Sequence, residues 1–130
     1  LKQEQRWSAG KLMNVTPFYT IRGEKKDPGT IKNGNGTLIT YMADGKVDTN
    51  QTYVNGLLQG EYTAYFPSGA IKESGRYTQN QREGTWKQFH ENGRLASEGK
   101  YIGGEMSGKW SYYNPRGRLI SVINHDQEAE

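Results

Sequence analysis

The sequence predicts an all-β fold, an open single-layer antiparallel meander built from tandem 24-residue β-hairpins. Three observations carry that expectation. Gly36, Gly60, Gly84 and Gly108 recur at a spacing of 24 within 130 residues, and a second glycine column, Gly45, Gly69, Gly93 and Gly117, stands nine residues into each unit. Apolar columns run alongside: Leu38, Tyr62, Trp86 and Trp110; Tyr41, Tyr65, Phe89 and Tyr113; Val47, Ile71, Leu95 and Leu119; and Tyr53, Tyr77 and Tyr101, with His125 as the next member. A fixed period of this length is the mark of a repeat architecture, in which each unit buries little alone and leans on its neighbours.

Composition agrees. Only 32% of residues are hydrophobic and the mean hydropathy is -0.97, so a broad aliphatic core is unavailable. Nine Tyr, three Trp and 17 Gly suit twisted β structure with tight turns, and the aromatic content argues against disorder.

The elements follow in chain order. Residues 1–35 read as N-terminal capping strands and irregular segment. Trp7 and Ser8-Ala9-Gly10-Lys11-Leu12 suggest half of an early unit; 16–21 (TPFYTI) read as a strand, followed by a turn at 25–29, Thr30-Ile31 and Asn33-Gly34. Residues 36–123 hold four units, 36–59, 60–83, 84–107 and 108–123. In each, the pair ending in the second glycine (Asp44-Gly45, Ser68-Gly69, Asn92-Gly93, Arg116-Gly117) supplies the positive φ of a hairpin turn. The strands are therefore 37–42 with 46–53, 61–66 with 70–77, 85–90 with 94–101, and 109–114 with 118–123. Asn55-Gly56, Gln79-Asn80 and Gly103-Gly104 join one hairpin to the next. The first two aromatic columns lie three residues apart, which requires either a bulge or use of both faces. Residues 124–130 form an acidic tail expected to fray, and no long helix is predicted.

Gly84, Trp86, Phe89, Asn92, Gly93, Arg94 and Leu95 spell G-x-[WY]-x-x-[YF] followed by N-G-[KR]-L. This pattern resembles the MORN repeat (membrane occupation and recognition nexus), more closely its bacterial variant form, over residues 36–123. The first unit departs from it, with Leu38 in place of an aromatic residue. The resemblance implies hairpins in series, and a role in membrane attachment through acidic lipids or in scaffolding and dimerisation. Bacterial variant-repeat proteins often carry the label of an antitoxin from a toxin/antitoxin pair, a transferred name without a mechanism. The resemblance supplies no catalytic residues.

Enzyme signatures are missing from the sequence. Zero Cys removes disulfides, thiolate metal sites and a cysteine nucleophile. His90 and His125 fall in different columns without metal spacing, and neither G-x-S-x-G nor a phosphate-binding loop occurs. Glu73, Glu83, Glu91 and Glu98 read as a solvated face. No enzyme activity, cofactor or metal is expected. Three glycosylation sequons, at Asn14, Asn35 and Asn50, reflect the abundance of Asn in turns.

Charge is distributed by region. Residues 1–35 carry seven bases and three acids, 36–107 seven bases and eight acids, and 108–125 three bases and no acid. The last five residues carry three acids, and the chain as a whole is +3. No concentrated basic stripe appears, so nucleic acid is not expected as a partner.

The leading expectation is a non-catalytic repeat scaffold binding a protein partner, or a second copy of itself, through the sheet face or open edge. Tyr62, Tyr65, Trp86, Phe89, Trp110 and Tyr113 are the candidate contact ladder. The alternative is a peripheral module that recognises anionic membranes through Lys25, Lys26, Arg116 and Arg118. No apolar run approaches the roughly 20 residues of a membrane-spanning helix. The chain begins at Leu1 and not at Met, which suggests that an upstream segment was removed and favours an exported, periplasmic or envelope location.

Overall fold

A computed structural model describes residues 3–19 and 24–126. Thirteen strands follow in order: β1 Gln5–Ser8, β2 Lys11–Val15, β3 Phe18–Tyr19, β4 Lys25–Lys26, β5 Gly36–Tyr41, β6 Val47–Val54, β7 Leu57–Leu58, β8 Gly60–Tyr65, β9 Ile71–Thr78, β10 Gln81–Phe89, β11 Leu95–Ile102, β12 Glu105–Tyr113 and β13 Leu119–Asn124. No helix occurs among the described residues, and all pairing is antiparallel. The main sheet runs β13-β12-β11-β10-β9-β8-β6-β5, with β7 beside β6, so the chain lays down neighbouring strands in sequence.

Of the expected strand over 16–21, Phe18–Tyr19 form β3 and residues 16 and 17 lie outside it, while the expected turn at 25–29 begins with β4, because Lys25–Lys26 pair with β3; residues 20 and 21 lie outside those described, as do 127–130 of the acidic tail. The early unit is a hairpin, β1 with β2, turning on Ala9 and Gly10 at φ 49° and 78°. It forms its own two-stranded sheet.

The three-residue aromatic spacing is met by using both faces, and each strand also bulges just ahead of it. Between β9 and β10 the register jumps from Arg76 opposite Glu83 to Ser74 opposite Lys87, and between β11 and β12 from Lys100 opposite Ser107 to Glu98 opposite Ser111. One residue on the earlier strand thus faces three on the later one. Gly84 and Gly108 sit inside these bulges with φ of 74° and 68°, a backbone geometry that L side chains resist. The same jump occurs between β6 and the β7–β8 segment, where Gln59 N donates to Thr52 O before Asn50 meets Thr63. Beyond each bulge the strand alternates normally, so Tyr65 and Phe89 face away from Tyr62 and Trp86.

The bulge places an indole across the preceding hairpin. A Cβ built on Gly75 would lie 2.2 Å from Trp86 Cδ2, and one on Gly99 would lie 2.1 Å from Trp110 Cδ2. Each indole also donates its N–H across the junction, Trp86 to Arg76 O and Trp110 to Lys100 O, both at 3.1 Å. Trp86 and Trp110 are 1% and 2% exposed, so the core of the repeats is a row of tryptophans seated on glycines. At the N-terminal end Leu12, Ile31, Leu38 and Tyr53 form a hydrophobic cluster with Val15 and Leu58 against it.

Gly99→Ala is expected to cost about 1–3 kcal/mol by overpacking, lowering the melting temperature by roughly 3–5 °C per kcal/mol. Combined with Trp110→Leu, the loss measured by circular dichroism should be smaller than the sum of the two single losses, because the smaller side chain leaves room for the methyl group.

Candidate functional site

The ladder face is built from rings contributed by successive strands. Tyr62 meets Tyr77 at 5.3 Å and 77°, Tyr77 meets Trp86 at 5.3 Å and 88°, and Trp86 meets Tyr101 at 6.0 Å and 77°. Tyr101 then meets Trp110 at 5.1 Å and 84°, and Trp110 meets His125 at 6.2 Å and 88°. Edge-to-face pairs of this kind are worth about 0.5–1.5 kcal/mol each beyond burial. His125 does complete the tyrosine column. Burial, then the neighbouring Tyr77 phenol, raise the pKa of Tyr53 and Tyr62, so both stay neutral.

The six candidate contact residues differ in exposure. Trp86 and Trp110 are core, and their faces are not available to a partner. Tyr62, Tyr65, Phe89 and Tyr113 are half-buried. The rings are therefore divided between two faces and do not form one contact surface. Behind Phe89, the turns are stapled together. His90 Nε2 lies 2.8 Å from Tyr113 O and must carry the proton, since a carbonyl only accepts. Asn92 Nδ2 donates to Pro115 O at 2.6 Å, and Arg94 Nη1 donates to Arg116 O.

A row of residues, polar except at Ala64, crosses the ladder face at Thr40, Thr49, Ala64, Glu73, Gln88, Ser97, Tyr112 and Ser121, each opposite the next. In its middle, both guanidinium ends of Arg82 donate to Glu73 at 3.2 Å, Gln88 Nε2 donates to Glu73 Oε2 at 2.9 Å, and Ser97 Oγ donates to Gln88 Oε1 at 3.1 Å. Arg82 lies 4.3 Å over the Trp86 ring and 5.4 Å from that of Tyr101. Partial burial alone would lower the Arg82 pKa, but the Glu73 carboxylate, aided by Tyr77, outweighs it and raises it. Glu73 is thus part of a network and not of a solvated face, as its sequence position suggested. The available signal was that Arg82 stands where Leu58 and Met106 stand one period to either side.

The sheet carries two open grooves. One, of about 530 Å³, is lined by Ala64 and Glu73 of this row with Tyr62 and Phe66; the other, of about 720 Å³, is lined by Ile39, Tyr41, Tyr65 and Phe66 with Lys26 and Lys46. Among the described residues no group of three His, Cys, Asp or Glu could hold a metal ion. No helix among them is long and apolar enough to cross a membrane.

The basic candidates lie far apart. Lys25 and Lys26 form β4 next to Asp27, whose carbonyl accepts from the Tyr41 hydroxyl of β5 at 2.6 Å, whereas Arg116 and Arg118 precede β13. Seven interstrand steps separate β5 from β13, roughly 34 Å at about 4.8 Å each.

The two edges of the sheet differ. Along β5, Thr30 and Ile31 donate to Thr37 O and Ile39 donates to Pro28 O, all at 2.9 Å, so residues 28–31 seal it. Along β13 no described residue pairs with the outer side. His125 N donates to Gly108 O, which sets the alternation of the β12–β13 ladder and directs the N–H and C=O of Val122 and Asn124 outward. Leu119, Ile120, Val122 and Ile123 are 51%, 62%, 50% and 47% exposed. Sequence reasoning foresaw an open edge without locating it. The signal was Ile123, which occupies the column of Gly75 and Gly99.

Residues 58–79 and 82–102 match the family model of the MORN repeat variant. These stretches coincide with the two hairpins that contain Gly75 and Gly99. A comparison with curated proteins found no match.

Glu73→Ala is expected to destabilise the chain by about 1–3 kcal/mol, because Arg82 loses its charged acceptor. Replacing both partners, Glu73→Thr with Arg82→Leu, the residues found one period earlier, should recover stability to within about 1 kcal/mol in a chemical denaturation series.

The Asp126 carboxyl is held below the usual carboxylate range by hydrogen bonds from the Gly108 backbone and the Ser107 hydroxyl. A lowered folded-state pKa contributes stability above the ordinary value, which is lost as pH falls. The difference in melting temperature between the native chain and Asp126→Ala should therefore be present at pH 7 and close below about pH 4.

Proposed function

We propose that this array of MORN-variant hairpins is a non-catalytic scaffold that binds another protein chain by strand addition at β13. The observation that carries the reading is the asymmetry of the sheet: β5 is sealed by residues 28–31, while β13 presents outward backbone groups between exposed aliphatic side chains. Unpaired edges are ordinarily blunted by charge, proline or cover. β13 carries neither charge nor proline in its sequence LISVIN. An extended peptide added there would gain main-chain hydrogen bonds and side-chain contacts on both faces.

The buried ladder supports this role by fixing the twist and position of β13, and not by touching the partner. An anionic membrane is the weaker reading. Lys25 and Lys26 stand far beyond a Debye length of about 8 Å from Arg116 and Arg118, so the four do not act as one patch.

A photo-crosslinking residue at position 120 is expected to trap another chain when the protein is isolated from its own cells. Val122→Pro removes an outward N–H without touching the β12 ladder, and proline is tolerated on edge strands. It should reduce trapping by about tenfold or more, a loss of about 1.4 kcal/mol of binding, with the melting temperature shifted by less than about 4 °C. Trapping that Val122→Pro leaves unchanged would remove the edge as the binding site.

A further inference from the structure

We infer that the groove of about 530 Å³ beside Ala64 is a binding site for a neutral saccharide, independent of the β13 edge. The inference begins where the repeat breaks. In the column of Thr40, Gln88 and Tyr112 the second hairpin carries Ala64, so the row across the sheet loses a polar side chain at that point. In the column of Thr49, Ser97 and Ser121 it carries Glu73, and the column of Ala96 and Ile120 holds Asp48 and Lys72 in the first two hairpins. Ala64, Glu73, Asp48 and Lys72 all line the one groove. Residues that only pack recur with the period of a repeat protein, so four departures meeting at one place call for a reason outside packing.

The polar groups there are held in position before any ligand arrives. Among the described residues Glu73 accepts two hydrogen bonds from Arg82 and one from Gln88, and Gln88 accepts one from Ser97. A carboxylate has about four acceptor positions, and an amide donates twice and accepts twice, so both side chains are oriented with capacity left over. Asp48 and Lys72 are exposed, and neither belongs to an ion pair among the described residues. Burial raises the pKa of the Tyr62 phenol, with Tyr77, Glu73 and, more weakly, Asp48 adding to it against a lowering by Arg82. The phenol therefore stays neutral and can both donate and accept. Tyr62, Ala64 and Phe66 stand at every second position, so two half-buried rings flank the small residue.

The lining sets the chemistry of the occupant. Its charged side chains are Asp48, Lys72 and a Glu73 already neutralised by Arg82, which leaves no excess of either sign, whereas the larger groove has Lys26 and Lys46 and no acid. An ion finds no surplus counter-charge here. A neutral ligand must offer donors to the carboxylates, acceptors to Lys72 and the Gln88 amide, and an apolar side to the rings. A pyranose meets all three demands: adjacent hydroxyls around its rim each donate and accept, and the C–H groups across its face pack on an aromatic ring. A peptide brings one N–H and one C=O per residue, so its donors arrive singly. The volume lies within the roughly 300–1,000 Å³ of small-ligand sites.

The test is titration of the isotope-labelled chain with cellobiose, maltose and chitobiose, followed by NMR. At least one should shift the Gln88 side-chain amide and the indole signal of Trp86, whose ring centroid lies 5.6 Å from that of Tyr62, with saturation and a dissociation constant of about 1 mM. Asp48→Ala, at an exposed position, should weaken that binding about tenfold with the melting temperature shifted by less than about 4 °C. Ala64→Gln, which installs the residue found one period later, should weaken it at least as much, and Asp44→Ala in the first hairpin turn should bind as the native chain does. No saturable shift with any of the three sugars up to about 20 mM would overturn the proposal. Binding that both Asp48→Ala and Ala64→Gln leave unchanged would remove it from this groove. Preference for glucuronate would overturn the neutral ligand, and preference for triglycine would replace the saccharide by a peptide. Trapping at position 120 is unaffected by any of these results, so the edge and the groove stand or fall separately.

Discussion

The structure depends on one contact, an indole laid flat on a glycine of the hairpin before it. The contact has three parts that require each other. A bulge at Gly84 or Gly108 lifts the later strand out of the ladder. Gly75 or Gly99 provides a surface without a Cβ. The indole N–H then reaches the carbonyl of Arg76 or Lys100 at the place where the ladder is interrupted. A chain with only 32% hydrophobic residues can hold a single-layer sheet together in this way, because Trp86 and Trp110 are almost wholly buried. Stability is then distributed along the sheet as a sum of neighbour contacts.

Much of this was legible in the sequence, for a physical reason: a period of 24 sets the turns, and a turn glycine announces itself wherever positive φ recurs. The hairpin strands lie within a few residues of where the Asp44-Gly45 and Asn92-Gly93 pairs place them. The glycine that seats each indole was harder to see. It occurs only at Gly75 and Gly99, with Gln51 and Ile123 at the outer positions, so the column does not stand out by repetition. Its meaning lies in a contact between adjacent hairpins, which no single unit contains.

The site was less legible than the fold. Aromatic periodicity marks residues that repeat, and a repeating residue is first of all a core residue, which is why Trp86 and Trp110 proved too deep to serve as contacts. The edge is marked by the opposite sign, the point at which repetition stops. The Arg82, Glu73, Gln88 and Ser97 network is likewise a departure from the period, a charged insertion where neighbouring units hold Leu58 and Met106. Lys25 and Lys26 form a pair in sequence that the sheet carries to the far side from Arg116 and Arg118, a separation set by strand order.

The cover that residues 28–31 place over β5 has a consequence for assembly. A sheet open along both margins can recruit copies indefinitely and grow into a fibre, whereas one with a closed margin has a single valence in its main sheet. Whatever joins β13 uses that valence up, and growth halts there. The modest N-terminal segment, which contributes little to the repeat pattern, thereby acts as a chain terminator for a β surface that would otherwise be prone to polymerise.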